Sequence, residues 1–316
     1  MMKNKYKFEY WLVRWLNYKQ NYVKESTYMK YKNSIYIHII PELGEININY
    51  IDNYVIQNYI NKKLSIEESR LSPKSVKEIV GIIKSTLSYA EQNGVDNNCK
   101  FEQLILKNNY KPIRVLSKNE EKQLLNVLTN NMDIFKLGVL ISLLTGVRIG
   151  ELCALKWCDI DVAESIISVS RTMQRIQVEG KSTKTEIIVT TPKTNSSIRQ
   201  IPIPKFLMNY MKMFIKRDEQ YVLSNADGHC IEPRVMQYRF KKYINYAGVS
   251  EANFHALRHT FATRCIEAGV EIKVLSEILG HSSVNITLDR YVHNSIDFKK
   301  DNINRLNEYI LSFSQS

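Results

Sequence analysis

The chain has 316 residues, of which 44% are hydrophobic, and its 44 Lys and Arg against 32 Asp and Glu give a net charge of +12. This length favours two domains, and the hydrophobic fraction is enough to fill two cores. No stretch approaches the roughly 18 consecutive apolar residues of a membrane span, and the first residues lack an apolar signal core, so we expect a cytoplasmic protein.

Positive charge is spread over the whole chain. Residues 1–110 carry a net charge of +5 and the remainder +7, which suits a clamp along the phosphate backbone of a nucleic acid. Binding to a membrane surface is the competing interpretation, but we find no basic amphipathic anchor or lipidation motif and expect no membrane partner. The five cysteines are odd in number and lack the spacing of a zinc site, so they are predicted to be reduced structural thiols.

The N-terminal third carries apolar side chains at three- and four-residue spacing, which predicts short helices. We expect four of them: over 8–18, from a Ser26-Thr27 cap to a point before Pro41, from Asp52, and from Ser72-Pro73 to Asn93-Gly94. A small helical bundle of this kind fits a DNA-gripping domain without being diagnostic of one.

A polar and basic stretch over 107–116, interrupted by Pro112, is predicted to be an extended linker. We therefore place a helical domain at 1–106 and a second domain at 117–316. The second domain begins with a capping box over 117–120, where a serine is followed three residues later by a glutamate.

The second domain is predicted to be mainly α with a small antiparallel sheet. An almost wholly apolar run over 133–145 predicts a buried helix that Gly146 ends. The apolar period then changes to two, which predicts short antiparallel strands over 166–174, 186–191 and 198–203. Helices resume after these strands and continue to the C-terminal residues.

Several motifs of enzyme chemistry are missing from the sequence. It has no internal repeat, Walker loop, dinucleotide fingerprint, His-Glu-x-x-His motif or serine nucleophile elbow. We therefore predict that the protein uses no ATP, redox cofactor or metal ion, and we expect no cofactor.

Two segments place cationic side chains near helix ends. Arg148 follows the buried helix, and Glu151 can lie beside it on the next turn; taken alone, this spacing favours an ordinary surface ion pair. His255 and Arg258 nearly share a face at a helix N-terminus, where an anionic oxygen is favoured. Taken alone, this second pair is more typical of a solvated basic face than of a site.

A third segment places His281 in a turn before a short helix that carries Tyr291. Because the chain has 19 tyrosines, spacing has to single one out. Together with a lysine-containing turn at 191–194, the three segments resemble the tyrosine recombinases. The resemblance is close over residues 117–310. The resemblance is carried by Thr-Gly-Val-Arg-Ile-Gly-Glu-Leu at 145–152, Thr-Pro-Lys-Thr at 191–194, His-x-x-Arg-His at 255–259, and Leu-Gly-His at 279–281 with Tyr291 ten residues on.

The resemblance implies a helical core-site DNA-binding domain followed by an α+β catalytic domain of the DNA breaking-rejoining type. It also implies a catalytic set of Arg148, Lys193, His255, Arg258, His281 and Tyr291. The two arginines, assisted by His281, would bind the non-bridging oxygens of the phosphodiester. Tyr291 would be the nucleophile with His255 as its base, and Lys193 would protonate the leaving 5′-oxygen.

The implied function is a site-specific recombinase that cleaves and rejoins DNA through a 3′-phosphotyrosine, for integration and excision of a phage or conjugative element. The alternatives are a housekeeping multimer resolvase, an inversion recombinase, a type IB topoisomerase and a catalytically silent DNA-binding regulator. The expected partners are double-stranded recombination sites, further copies of the chain in a tetramer on synapsed DNA, and excisionase or DNA-bending accessory proteins. A stripe of Ile303, Leu306 and Ile310 is expected to dock on a neighbouring subunit, with intramolecular packing as the alternative.

Overall fold

The computed structural model describes residues 6–65, 71–96, 99–106, 113–177, 185–191, 197–291, 300, 303–304 and 310–311. The chain divides into two compact units, Met1–Lys111 with Ile176–Glu186 and Pro112–Arg175 with Ile187–Ser316. Each unit has a hydrophobic core of its own. Among the helices described, none combines the length and the apolar character needed to span a bilayer.

The first unit is built from helices joined by short turns. These helices are α1 (Phe8–Gln20), α2 (Glu25–Asn33), α3 (Ile40–Leu43), α4 (Asn53–Leu64) and α5 (Pro73–Glu91). The apolar stripe of α1 is buried, and α1 packs against α5. Asp52 and Ser72 accept hydrogen bonds from the Val55 and Ser75 amides at 2.9 and 3.1 Å. Both predicted helix starts are therefore confirmed.

The second predicted helix differs from its prediction at both ends. It begins at Glu25 without a side-chain cap, so the predicted cap at Ser26-Thr27 is wrong. The backbone then becomes π-helical over Ser34–Ile39, and Pro41 lies in the first turn of α3, so the helical path ends at Gly44 rather than before Pro41. Proline lacks an amide hydrogen, but the first turn of a helix needs no donor there, so Pro41 starts a new helix.

The second unit is mainly helical around a buried central helix. Its helices are α6 (Lys118–Thr129), α7 (Ile134–Thr145), α8 (Ile149–Ala154), α9 (Lys205–Met211), α10 (Pro233–Tyr246), α11 (His255–Glu267), α12 (Ile272–Leu279) and α13 (Val284–Tyr291). The capping box of Ser117 and Glu120 is present, and α7 is buried along most of its length and ends at Gly146, as predicted. α11 packs against α7, α12 and α13, which gathers the elements that carry the candidate site residues.

The strands are β1 (Ile160–Asp161), β2 (Ile166–Val169), β3 (Thr172–Gln177), β4 (Thr185–Thr190) and β5 (Arg199–Pro202). An antiparallel sheet has the order β1-β2-β5, with Ile167 opposite Ile201, and β3 and β4 form a separate pair. The predicted strand over 166–174 is wrong in one respect, because it splits between the two sheets. At the split Arg171 donates to the Asp159 carboxylate at 2.7 and 2.5 Å, which anchors the bend. The architecture is mainly α with small antiparallel sheets, as predicted.

Some predicted features fall on residues outside those described. Lys193 and residues 107–112 of the predicted linker are among them. Of the C-terminal stripe, Ile303 and Ile310 are exposed, and Leu306 lies outside the described residues.

Candidate active site

A tight turn after α7 delivers Arg148 to the N-terminus of α8. Gly146 ends α7 with a φ of +68°, and a Cβ atom there would lie 2.5 Å from the Phe261 ring, so glycine is required by both conformation and space. Glu151 accepts hydrogen bonds from the Arg148 amide at 2.9 Å and from its guanidinium at 2.8 Å. The predicted pairing of Arg148 with Glu151 is confirmed.

Glu151 is a buried carboxylate shared by two arginines. Arg199, in β5, donates to its two oxygens at 3.1 and 2.9 Å. Burial pushes the pKa of Glu151 upward, but the hydrogen bonds and charge of Arg199, with the charge of Arg148, outweigh it and lower the pKa to about 2. The carboxylate therefore stays ionised and holds both guanidiniums in place.

Three guanidiniums converge on the last main-chain carbonyls of α12. Arg199 Nε donates to the Ile278 oxygen at 2.5 Å, Arg258 donates to the Leu279 oxygen at 2.6 Å, and Arg148 donates to the Gly280 oxygen at 3.3 Å. The final carbonyls of a helix have no partner within it and carry the negative end of its dipole. The end of α12 therefore binds all three cations through its backbone carbonyls.

Arg258 is the most deeply buried of these cations, with 2% of its surface exposed. Its other terminal nitrogen donates to the Gly146 oxygen at 2.8 Å, so the guanidinium is bound by main-chain carbonyls at the ends of both α7 and α12. Burial and then the charge of Arg148 lower its pKa to about 9. Glu151 pairs with two of the three guanidiniums, so the three arginines keep an excess of positive charge that an anion would neutralise.

Tyr291 ends α13 and is 6% exposed. Its ring belongs to a small apolar cluster with side chains of α11 and α12, which are Ala262, Ile266, Leu275 and Leu279. The hydroxyl lies 2.8 Å from Nδ1 of His259. Burial raises the pKa of Tyr291, whereas the charges of Arg258, Arg290 and Arg148 act in the opposite direction. A buried phenol is thus kept protonated beside a cluster of cations.

The histidines around Tyr291 are neutral at about pH 7. Partial burial and the charges of Arg258 and Arg148 lower the pKa of His255 to about 4, although this ring is exposed on one side. The same causes, in the same order, lower the pKa of His281 to about 3. His281 Nδ1 lies 2.8 Å from the Thr287 hydroxyl, and its ring is parallel to that of Tyr291 within 7° at 6.4 Å.

A cavity of about 260 Å³ opens beside Arg258, and His255 is part of its wall. Arg148, Arg258, His255, His281 and Tyr291 thus lie in one region, around the ends of α7 and α12. Lys193, the sixth residue of the predicted set, lies outside the described residues.

Two residues of this region were not selected from the sequence. Arg199 lies two positions from Ile201, which is buried, and alternate residues of a strand share a face, so a charge there indicates a buried partner. His259 lies four residues after His255 on α11 and therefore on the same helical face. Both patterns are present in the sequence, but neither shows which residue the side chain would bind.

The sequence matches two families in succession. Residues 114–297 match the phage integrase family, and residues 7–64 match the phage integrase N-terminal SAM-like domain. A tyrosine recombinase XerC-like protein of Caldanaerobacter subterraneus subsp. tengcongensis is 30% identical over 91% of this chain and 79% of its own length. The ICEBs1 integrase of Bacillus subtilis is 26% identical over the same shares of the two chains.

Solved structures share the fold. The Tn1549 transposon integrase in complex with a circular intermediate DNA has a TM-score of 0.78 at 21% identity, over 95% of this chain and 99% of that one. A lambda integrase dimer bound to a COC′ core site has a TM-score of 0.67 at 18% identity, over 90% and 77%. The family match covers more than half of the chain. The chain therefore belongs to the phage integrase family of tyrosine recombinases, which are DNA strand-exchange enzymes.

Proposed function

We propose that this chain is the integrase of a phage or conjugative element and that it cuts and rejoins double-stranded DNA through a covalent bond to Tyr291. The observation that carries the proposal is a buried phenol next to arginines that are already held in place. Tyr291 is 6% exposed and feels the charges of Arg258 and Arg148. A phosphodiester bound by these two guanidiniums would lie beside the nucleophile.

The proposed catalytic set is Arg148, Lys193, His255, Arg258, His281 and Tyr291. In cleavage the Tyr291 oxygen forms a bond to phosphorus while the bond from phosphorus to the 5′-oxygen breaks. Arg148 and Arg258, with help from His281, bind the negative charge that grows on the non-bridging oxygens. Lys193 is the proposed acid that protonates the leaving 5′-oxygen.

The bond energy of the cut strand is kept in the 3′-phosphotyrosine. A new 5′-hydroxyl can therefore attack the phosphorus and release Tyr291 without ATP. Because main-chain carbonyls and Glu151 already orient the guanidiniums, little reorganisation is needed when charge develops. We propose no cofactor for either step.

We propose that residues 1–106 bind the core of the recombination site, that 107–116 link the domains, and that 117–316 form the catalytic domain. The two separate cores and the N-terminal SAM-like match support this division. A lambda integrase tetramer bound to a Holliday junction has this fold, with a TM-score of 0.67 at 19% identity. We accordingly propose a tetramer on synapsed DNA in the cytoplasm, assisted by excisionase or DNA-bending proteins.

The names of two similar proteins favour a mobile element. They are the ICEBs1 integrase and the Tn1549 transposon integrase. A multimer resolvase or an inversion recombinase would use the same chemistry on other pairs of sites. Recombination between the ends of the element and a target duplex, with excision regenerating a circle, is expected for an integrase. Exclusive action on two sites of one chromosome or plasmid would instead indicate a resolvase or an inversion recombinase.

The first prediction concerns Tyr291→Phe, which removes one oxygen and keeps the ring. On a nicked suicide duplex, whose short 5′ fragment diffuses away after cleavage, the wild-type protein should accumulate a denaturation-resistant DNA adduct in EDTA without ATP. The Phe variant should form none while binding the duplex normally, because the nucleophile is gone. Protease digestion and mass spectrometry should place the nucleotide on the peptide that contains Tyr291. An adduct at another residue, or a requirement for a divalent metal, would falsify the proposal.

A further inference from the structure

We infer that His259 accepts the phenol proton when Tyr291 attacks the phosphodiester and returns it when the strand is rejoined. This inference rests on the proposed function of Tyr291 as the nucleophile. It adds His259 to the catalytic residues, and it assigns the proton transfer to a different histidine from His255, which the family resemblance had pointed to.

The first support is the position of the reacting hydroxyl. The Tyr291 oxygen and Nδ1 of His259 are 2.8 Å apart, within the reach required of a general base. The two rings are tilted by 51° with their centroids 5.6 Å apart. Tyr291 is almost fully buried and His259 is half-buried, so bulk water has little access to the phenol proton.

The second support is the different placement of His255. The two histidines lie one turn apart on α11, and their rings meet edge to face at 4.5 Å. His255 is exposed and contributes to the wall of the cavity beside Arg258. Within the described residues no hydrogen bond joins His255 to Tyr291. His255 therefore faces the place where a phosphate would enter, and His259 faces the nucleophile.

The third support is the protonation state of His259. Burial, followed by the charges of His255, Arg290 and Arg258, lowers its pKa to about 4, so the ring is neutral at about pH 7 and can accept a proton. A bound phosphodiester brings negative charge to the same cations. His259 then becomes a stronger base at the moment when cleavage requires one.

The proton balance of both steps is complete. In cleavage the bond from Tyr291 oxygen to phosphorus forms, its proton passes to His259 Nδ1, and the leaving 5′-oxygen takes a proton from the acid, which we propose to be Lys193. In rejoining the 5′-oxygen forms its bond to phosphorus and gives its proton to that acid, while the bond from phosphorus to the Tyr291 oxygen breaks and His259 gives its proton back to the phenolate. Neither direction uses an oxidant, a metal ion or ATP.

The test compares His259→Gln with His255→Gln in single-turnover cleavage of the nicked duplex. Glutamine can hold a hydrogen bond but cannot take a proton. At about pH 7 we expect His259→Gln to cleave about 10²–10⁴-fold more slowly than wild type, which is the usual effect of losing a general base. Its rate should rise steadily as the pH is raised toward the alkaline range, because the unassisted phenol ionises only there and burial raises its pKa above the ordinary value. His255→Gln should lose rate without this steep dependence on pH.

Equal affinity of both variants for the duplex shows that the defect is in the chemical step. A His259→Gln variant with the rate and pH profile of wild type would overturn the inference. Adduct formation by Tyr291→Phe would instead overturn the proposed nucleophile, so the two failures are distinguishable.

A second measurement needs no variant at His259. The chain has six histidines, so ¹⁵N-histidine NMR of the full-length protein can assign the ring nitrogens, with Tyr291→Phe identifying the His259 signals. We expect the tautomer protonated at Nε2, with Nδ1 accepting from the phenol. A proton on Nδ1, donated to the Tyr291 oxygen, would overturn the inference even if His259→Gln failed to fold.

Discussion

The arginine side and the tyrosine side of the candidate active site are held by different forces. Arg148, Arg199 and Arg258 are fixed by main-chain carbonyls and by the buried carboxylate of Glu151. α13, which carries Tyr291, buries only Thr287 and Tyr291 itself. The proposed binding site for the phosphate is therefore held in place without DNA, whereas the position of the proposed nucleophile depends on a small apolar cluster and a few hydrogen bonds.

The largest expected loss of cleavage follows from removing one guanidinium from the arginine side of the site. Arg148→Ala and Arg258→Lys should each lower cleavage of the suicide duplex by about 10²–10³-fold, the usual effect of removing one donor to transition-state charge. Lysine is used at 258 because alanine would leave the Gly146 and Leu279 carbonyls without donors. Affinity for the duplex should change little, because many other basic residues contribute to it. Equal losses of binding and cleavage would contradict the assignment.

The next prediction concerns Glu151→Gln, which removes the negative charge between two arginines. The folded pKa of about 2 lies about two units below the ordinary glutamate value, so the ionised carboxylate contributes about 3 kcal/mol to the free energy of unfolding. That contribution is present above about pH 4.3 and is lost as the pH falls toward 2. Urea unfolding at about pH 7 should show the loss in the variant, and the difference from wild type should shrink in acid.

Glu120→Gln is the matched control for this loss. The hydrogen bond from Arg114 lowers the pKa of Glu120 to about 2 against the opposing effect of burial. Stability should therefore fall in both variants, while single-turnover cleavage falls only in Glu151→Gln. An equal effect of both variants on cleavage would show that Glu151 acts through stability alone.

Arg199→Lys should have a smaller effect on cleavage, about tenfold, because the hydrogen bonds of Arg199 go to Glu151 and to main-chain carbonyls and we expect it to act by positioning. Lysine keeps the charge but cannot bridge the carboxylate and the Ile278 carbonyl together. The readout specific to positioning is acid unfolding, whose midpoint should move to higher pH as the pKa of Glu151 rises toward its ordinary value. Arg171→Lys, which alters another arginine–carboxylate pair, should leave cleavage unchanged.

The smallest expected effect is a loss of stability in weak acid, caused by the histidines on the tyrosine side of the site. In the unfolded chain the histidines bind protons below about pH 6.5. In the folded chain burial, followed by positive neighbours, lowers the pKa of His259 to about 4 and that of His281 to about 3. Stability should therefore fall as the pH drops from about 6.5 toward 4. A bound duplex should reduce this loss, which thermal unfolding with and without DNA can measure. No difference between the two conditions would contradict the coupling of phosphate to histidine.

The sequence predicted the parts of the site that depend on local spacing. Arg148 with Glu151, and the helix end at Gly146, follow from separations of a few residues, and the architecture followed from the change of apolar period. Arg199 and His259 were missed because their roles depend on partners that tertiary packing brings from distant parts of the chain, Glu151 and Tyr291. The π-helical path before Pro41 was missed because proline is compatible with both a helix end and a helix start.

The carbonyl anchor at the end of α12 has a consequence for mutational studies. Alanine substitutions at Ile278 and Leu279 would leave every acceptor oxygen in place, since those oxygens belong to the peptide groups. A side-chain scan would therefore report apolar packing at these positions and miss their contact with the cations. Replacement of an amide by an ester, which weakens one carbonyl acceptor without changing a side chain, would make this part of the enzyme visible.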